Sequence, residues 1–488
     1  MLLLSLSLYG QKHDNIWPMG YIGDTAAGAC NYYIDFTDSF EIIPRCLGVE
    51  LFQMGNSAIS DSTGNLLFYT NGCSIADSSH QIMLNGNGLN NMTDPYYIQN
   101  GYPAKTLILP KPNSSNLFYL FHSEYPTNIN GQIIYGNALK FNYSLVDMNF
   151  NNGDGEVILK NIPILNDTIG GGGNLLTACK HANGYDWWIL VPEYESNAYY
   201  RFLLTEDNIY GPFRQELGYS FSWIDYSGQD IFSPNGSLYV RYDPQNQAHL
   251  YDFNRCTGEL SYRQQINVPS NSNAGGAAIS SNSRFLYIAN DTIVFQYDLQ
   301  AADINASRVT VAIYDGFQSP IQLATNFWQM QLAPNGKIYG VASGSTDRLY
   351  VIENPDNTGL ACNFRQHAVT SPFCCNGISL PNFPHFRTPA LAPGACDTTG
   401  VALLPVLKER VKIYPNPAHN GRFNIAAQQS PDYLQIHDLL GRLLLEEAWD
   451  NAGSEKEIQL PSGAKGIYFV SVWKEGKLLG REKVLVLE

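Results

Sequence analysis

A short polar turn followed at once by an aromatic-apolar strand recurs along this chain, and any fold must repeat with it. The clearest copies are Ala333-Pro334-Asn335-Gly336-Lys337-Ile338-Tyr339-Gly340-Val341 and Ser233-Pro234-Asn235-Gly236-Ser237-Leu238-Tyr239-Val240. Looser ones begin at Asp61, Pro112, Asn183 and Ser280. The aromatic after each turn (Phe68, Tyr119, Trp188, Tyr239, Tyr287, Tyr339) recurs at intervals of 51, 69, 51, 48 and 52 residues. A period near 50 with strand-turn-strand content predicts propeller blades of four strands. The span from Ile16 to Arg387 holds 372 residues, which favours seven blades over six or eight. The 69-residue interval has room for an insertion, and Trp17 to Ile43 is expected to close the ring with the last blade.

A second phrase lies downstream: His249-Leu250-Tyr251-Asp252-Phe253, Phe295-Gln296-Tyr297-Asp298-Leu299 and Arg348-Leu349-Tyr350-Val351-Ile352. Its alternation fits the next strand of each blade, with the Asp as a turn or edge residue. The many Tyr, Phe, Gly and Asn favour strands and turns, and no stretch sustains a helical period. The expected class is all-β: a β-propeller over 16–387, a Pro/Gly-rich linker over 388–410, and a small Ig-like β-sandwich over 411–488, where short alternating strands resume between turns.

The ends carry targeting information. Met1 to Gly10 is apolar and turns polar at Gln11-Lys12-His13-Asp14. This fits a signal peptide over 1–11 that lacks a basic start, or else a buried first strand. The run is too short to span a bilayer, and no later stretch of ~20 apolar residues follows. A net charge of −15 without any basic run opposes binding to nucleic acid.

Two resemblances follow from particular residues. Tyr414-Pro415-Asn416-Pro417, Gly421-Arg422-Phe423-Asn424-Ile425, Ile436-His437-Asp438-Leu439-Leu440-Gly441-Arg442, Ile458-Gln459-Leu460, Gly466-Ile467-Tyr468-Phe469-Val470 and Lys483-Val484-Leu485-Val486 resemble, in order and spacing, the type A C-terminal sorting domain of the type IX secretion system of Bacteroidetes. That implies export by the type IX secretion machinery, then release or attachment at the outer-membrane surface. Tyr414, Pro415, Asn416, Pro417, Gly441, Gly466 and Tyr468 would be the motif positions. Ile59 to Gly72, Met83 to Leu89, Tyr143 to Met148, Leu332 to Tyr339 and Leu380-Pro381-Asn382-Phe383 resemble propellers of secreted and gliding-associated Bacteroidetes proteins. This second likeness implies fold and location but no chemistry.

Site motifs are sparse. Asp147 to Glu156 places oxygen donors at alternate residues, as a calcium loop does, but Asn152 and Ile158 depart from the EF-hand pattern, so a hairpin turn is the plainer reading. Gly170 to Asn174 lacks the Lys-Ser or Lys-Thr of a phosphate loop. There is no Gly-x-Ser-x-Gly and no His-Glu-x-x-His. His122, His181 and His385 fall near blade ends and are candidates for a ring face. Glu193 and Glu195, after Trp187-Trp188, form an acidic-aromatic cluster that could suit a sugar. The nine cysteines form no CxxC pair, which argues against zinc. Cys30 with Cys46, and Cys362 with Cys374 or Cys375, are the nearest disulfide candidates.

No catalytic, metal or cofactor site is assigned on these residues, calcium being the one cation with any supporting pattern. The expected function is a secreted or surface-attached, non-catalytic binding or structural module with a glycan or protein ligand. The rival is a hydrolase or lyase acting on polysaccharide or peptide. Carboxylates or histidines converging on the central channel would favour the rival; a channel closed by apolar side chains would favour the binder.

Overall fold

A computed structural model describes residues 11–488 except 21–30, 46–51, 53–54, 129–132, 134–136, 171–174, 222–227, 270–273, 321, 345, 373–378, 397–410, 428, 440, 450–452, 462, 476 and 488. Among the described residues the regular structure is nearly all strand, with one short α-helix, Pro95–Asn100. The arrangement is propeller-like. Short antiparallel sheets follow one another along the chain, each opening on its innermost strand. The innermost strands are Ile16–Met19, Ser57–Ser60, Thr106–Pro110, Thr177–Lys180, Gln229–Phe232, Gly276–Ile279 and Met330–Leu332. Along the series, Ile16–Met19 packs on Ser57–Ser60 and that strand on Thr106–Pro110. Thr177–Lys180, Gln229–Phe232, Gly276–Ile279 and Met330–Leu332 pack likewise, each on the next.

The repeat finds its physical cause here. Each of the six turn phrases joins an innermost strand to the second strand of its sheet. At Ala333 to Lys337 the Gly336 N–H donates to the Ala333 carbonyl (3.0 Å) and the Ala333 N–H to the Lys337 carbonyl (2.8 Å). Gly336 has φ 78°. This is a three-residue hairpin loop whose last residue must be left-handed, the reason glycine sits there. Asn335 accepts from the Lys337 N–H (3.2 Å); Asn235 and Gly236 (φ 73°) hold the same positions in the second copy, where the Ser233 N–H donates one residue further on, to the Leu238 carbonyl (2.9 Å). The aromatic that follows packs between sheets: Phe68, Trp188, Tyr239, Tyr287 and Tyr339 are buried, and Tyr119 is half-buried. The second phrase is the third strand, over Gln247–Phe253, Ile293–Asp298 and Arg348–Ile352.

The long interval after Tyr119 is taken up by strand. Asn137–Asp147 and Glu156–Gly170 run 11 and 15 residues and pair antiparallel along their length. Trp17 to Ile43 belongs to a separate three-stranded sheet, Ile16–Met19, Asn31–Asp35 and Glu41–Arg45. It meets the last sheet through side chains: Phe40 stacks on Tyr339 at 5.4 Å, and Trp17 and Phe36 approach the same ring edge-on. The last sheet is complete in itself, with four strands between Met330 and Thr370.

The tail forms two strand groups. Leu443–Ala448, Tyr433–Asp438, Gly466–Lys474 and Lys477–Leu487 pair in that order. Val411–His419 and Glu455–Gln459 flank Arg422–Ala427. Alternate residues of both groups, including Phe423, Ile425, Leu434, Ile436, Val470, Val472, Val484 and Val486, enclose one apolar core.

Two cysteine expectations need comment. Cys362 is a buried free thiol, so it pairs with neither Cys374 nor Cys375; its side chain is turned into the apolar cluster beside Phe285, Tyr287 and Phe327. Cys30, Cys46, Cys374 and Cys375 lie outside the described residues, as do residues 1–10 of the expected signal peptide and residues 171–174 of the glycine run. Among the described residues a disulfide joins Cys256 to Cys396, across 140 residues. The expected linker is therefore fastened at its start. Thr388 donates to the Pro234 carbonyl (2.8 Å), Arg255 donates to the Pro389 carbonyl (2.7 Å), and the Leu391 N–H donates to the Ala182 carbonyl (2.8 Å).

Candidate functional site

The centre of the ring is filled by the segment Ser379 to Thr388. Asn382 carries it. Its amide donates to the Thr106 and Leu176 carbonyls at 2.9 and 3.0 Å, while its N–H donates to the Asn56 carbonyl at 2.8 Å. One residue thereby ties the second, third and fourth sheets. Phe383 lies 6.2 Å from Trp17, and Phe386 meets Trp187 and His13 edge-on. Arg387 closes a bidentate pair with Asp14, both contacts 2.8 Å. Beside Asn382 to His385 lies a space of about 20 Å³, roughly one water's worth.

Charged groups do converge around that filled channel, but sealed from solvent. Lys105 and Asp230 are 5% and 3% exposed. Burial pushes the Asp230 carboxyl up to about 7, against the pull of Arg241 and a 2.5 Å hydrogen bond from Tyr239. Burial brings Lys105 down to about 8, with Asp230 opposing. The Arg241 guanidinium is fully buried, stacked 3.6 Å over Phe221. The channel is thus closed by a peptide segment, neither by apolar strand side chains alone nor by an open acidic mouth.

Sequence-nominated residues mostly have structural roles. His122 is fully buried between Asn90 Oδ1 (2.6 Å) and Ser144 Oγ (3.0 Å), and burial pushes its pKa down to about 3. It lies on the second strand of its sheet, away from the ring face. His181 donates to the Cys256 carbonyl (3.2 Å), linking neighbouring turns. His385 donates to the Phe232 carbonyl (3.0 Å), and burial takes it down to about 4. Burial acts to raise the Glu193 pKa, but hydrogen bonds from Arg214, Ser196 and Tyr200 outweigh it and hold it at about 2. Its Arg214 contacts are 2.8 and 3.0 Å. Glu193 is therefore a fixed anion in an ion pair. Glu195 sits in the adjoining turn with φ 46°. Trp187 and Trp188 are both core residues, 1% exposed.

Asp147 to Glu156 closes the Asn137–Asp147/Glu156–Gly170 hairpin, with Asp147 and Glu156 as facing partners. The Asn149 N–H and amide both donate to Asp147 Oδ1 (2.9 and 2.8 Å), so the leading carboxylate is occupied by its own turn. Among the described residues no group of three or more His, Cys, Asp or Glu is placed to hold a metal.

In the tail, Tyr414, Pro415, Asn416 and Pro417 lie within Val411–His419 where its pairing with Arg422–Ala427 is interrupted. Proline has no N–H to give the ladder. Asn416 substitutes: its amide donates to the Lys483 carbonyl (2.6 Å), and its Oδ1 accepts from the Leu485 N–H (3.0 Å). Gly441 is left-handed at φ 73° in the turn closed by its N–H on the Asp438 carbonyl (3.0 Å). Gly466 opens the strand that carries buried Tyr468.

Two open hollows lie where the turn phrases gather. One, about 350 Å³, is bounded by the turns at Pro234, Ser281 to Ser283 and Pro334, with Asp14, Arg387 and Thr388. Another, about 560 Å³, is bounded by the turns at Asp61, Pro112 to Asn116 and Tyr185, with His13, Lys180 and Trp187. Sequence reading recognised these turns as scaffold; it had no signal that they also frame hollows, because that requires neighbouring sheets to be in place.

The comparisons separate the two parts of the chain. Residues 412–486 match the secretion system C-terminal sorting domain family. The chain thus carries a sorting domain of that family, which marks it as a secreted or cell-surface protein and implies interaction with the secretion machinery. No curated protein matches the chain. Solved structures that resemble it include a periplasmic gluconolactonase from Pseudomonas aeruginosa (10% identity, 75% of this chain and 98% of that one, TM-score 0.42). A putative 6-phosphogluconolactonase from Bacteroides fragilis is similar at 12% identity, 76% and 99% coverage and TM-score 0.42. So is a protein from Lactobacillus plantarum, at 12%, 76% and 100%, and 0.41. These likenesses assign no activity to this chain. Among the described residues no helix is long and apolar enough to cross a membrane.

Proposed function

We propose that this is a secreted or surface-attached, non-catalytic binding or structural module: a seven-bladed propeller over 16–387, a linker over 388–410, and an Ig-like sandwich over 411–488 as its export signal. The motif residues Tyr414 to Pro417, Gly441, Gly466 and Tyr468 shape that sandwich for the type IX machinery. A glycan or protein ligand docks on the face where the turns between first and second strands gather. One observation carries this reading. The ring centre is filled by the Asn382 segment, while the turn face keeps hollows of about 350 and 560 Å³, within the size range of small-molecule sites. Loops on a rigid strand scaffold are where binding residues ordinarily sit.

The rival, a hydrolase or lyase, draws on one feature. Burial, helped by Arg255, brings Lys180 down to about 8, and burial also lowers the neighbouring His13. Such groups suit proton transfer. Incubating the full chain with a polysaccharide and peptide panel separates the two. The binding reading expects retention of a ligand with no product. Product formation that disappears in Lys180→Met would sink it.

A further inference from the structure

The larger turn-face hollow has a composition unlike the rest of the molecule. The chain has 44 acidic residues against 29 Lys and Arg, yet this hollow is lined by Lys111, Lys180 and one carboxylate, Asp61. That carboxylate is turned back on its own hairpin: Asp61 Oδ1 accepts from the N–H groups of Thr63, Gly64 and Asn65 at 2.8, 2.8 and 3.0 Å. The Lys180 ammonium lies 5.4 Å from the Trp187 ring centre and spends one donor on Gln11 (2.8 Å); two N–H donors remain. The Lys111 side chain, half-buried at the edge, makes no ion pair among the described residues. Tyr185 is 65% exposed on the same rim, its ring open to a ligand. Ser62 and Ser115 add exposed hydroxyl groups, while the Asn113 amide donates to Glu206 (2.7 Å).

Two cations, a presented aromatic face and short neutral hydrogen-bonding side chains in one hollow are complementary to a particular chemistry. We infer that this hollow binds an acidic saccharide, a sugar carboxylate meeting Lys111 and Lys180 while a ring lies against Tyr185. An acidic peptide would satisfy the lysines but leave the aromatic face and the hydroxyl-matching rim unused. A neutral sugar would leave two lysines without a counter-charge. The inference rests on the proposal that the turn face binds, and it specifies the ligand class there.

Titration calorimetry of the full chain with trigalacturonate tests it, with maltotriose as the neutral trisaccharide and triglutamate as the acidic non-sugar. Trigalacturonate is expected to bind at least about tenfold more tightly than either control, and to weaken as salt rises. Lys111→Ala should weaken it about fivefold and Tyr185→Ala about tenfold, the scale of one charge contact and one ring contact. Both side chains are on the rim, and unchanged circular dichroism and melting would show that the variants fold. Equal affinity for maltotriose or triglutamate, no binding of trigalacturonate, or binding indifferent to both variants would each overturn the inference. If the chain instead retains a different ligand, and turn-face substitutions abolish that retention, the binding proposal stands while this ligand class falls.

Discussion

At the scale of single residues, side-chain amides stand in for missing backbone contacts. Asn382 supplies the channel segment with partners on three sheets, and Asn416, between Pro415 and Pro417, ties its strand to Lys477–Leu487. Asn416→Ala removes two solvent-exposed hydrogen bonds to the last strand, at a cost of about 0.5–1.5 kcal/mol; denaturant unfolding of the tail should show a lowered midpoint, and an unchanged midpoint would remove Asn416 from this role. Histidines set an acid limit. His385 is neutral when folded, its pKa held at about 4, against an ordinary value of 6.5. Below pH 6.5 the unfolded chain takes up a proton that the folded one refuses until about pH 4, so stability is lost across that window as pH falls. The loss from this group is on the order of 3 kcal/mol. Thermal melting from pH 7 to 4 should show the decline, and His385→Gln should flatten it.

Elements in this molecule are legible because their turns are. The hairpin loop at Pro334-Asn335-Gly336 needs a left-handed residue and a short acceptor, both local demands, so its copies report the junctions of first and second strands in the six sheets from Ser57 onward. Third strands are legible from alternation for the same reason. Cys256–Cys396 was not legible. It joins a turn between the third and fourth strands of one sheet to the segment leaving the channel, and their 140-residue separation gives spacing arguments nothing to use. Closing so long a loop restricts the unfolded chain strongly. Replacing both cysteines by serine should cost about 2–5 kcal/mol of propeller stability, measured as a fall in melting temperature; a wild-type value would mean that the hydrogen bonds of Thr388 to Leu391 suffice alone.

The whole molecule divides its tasks between a propeller-like ring and a tail matching a sorting family at residues 412–486. Export belongs to this scale. Removing Val411 to Glu488 should leave the protein in the periplasm; a fractionated culture showing normal surface or medium delivery would refute the role given to the tail. Ring closure belongs here too. The first sheet meets the last through Trp17, Phe36, Phe40 and Tyr339, and Arg387 returns to Asp14 across the length of the ring.

By itself the sequence determined the all-β class, the repeat of turns, the strand that follows each, and the sorting tail. These rest on near-neighbour chemistry: a left-handed loop position, two-residue alternation, a proline that cannot donate. Tertiary structure alone decided which of these residues meet. Leu380 to Phe383 could be noticed as a phrase but not as the filling of a channel, since its partners lie at Trp17, Asn56, Thr106 and Leu176. Glu193 could be noticed as a sugar-site candidate but not as the partner of Arg214. The hollow shared by Lys111, Lys180 and Tyr185 exists because three turns, whose following aromatics are 51 and 69 residues apart in sequence, are brought side by side once their strands pack around a common centre.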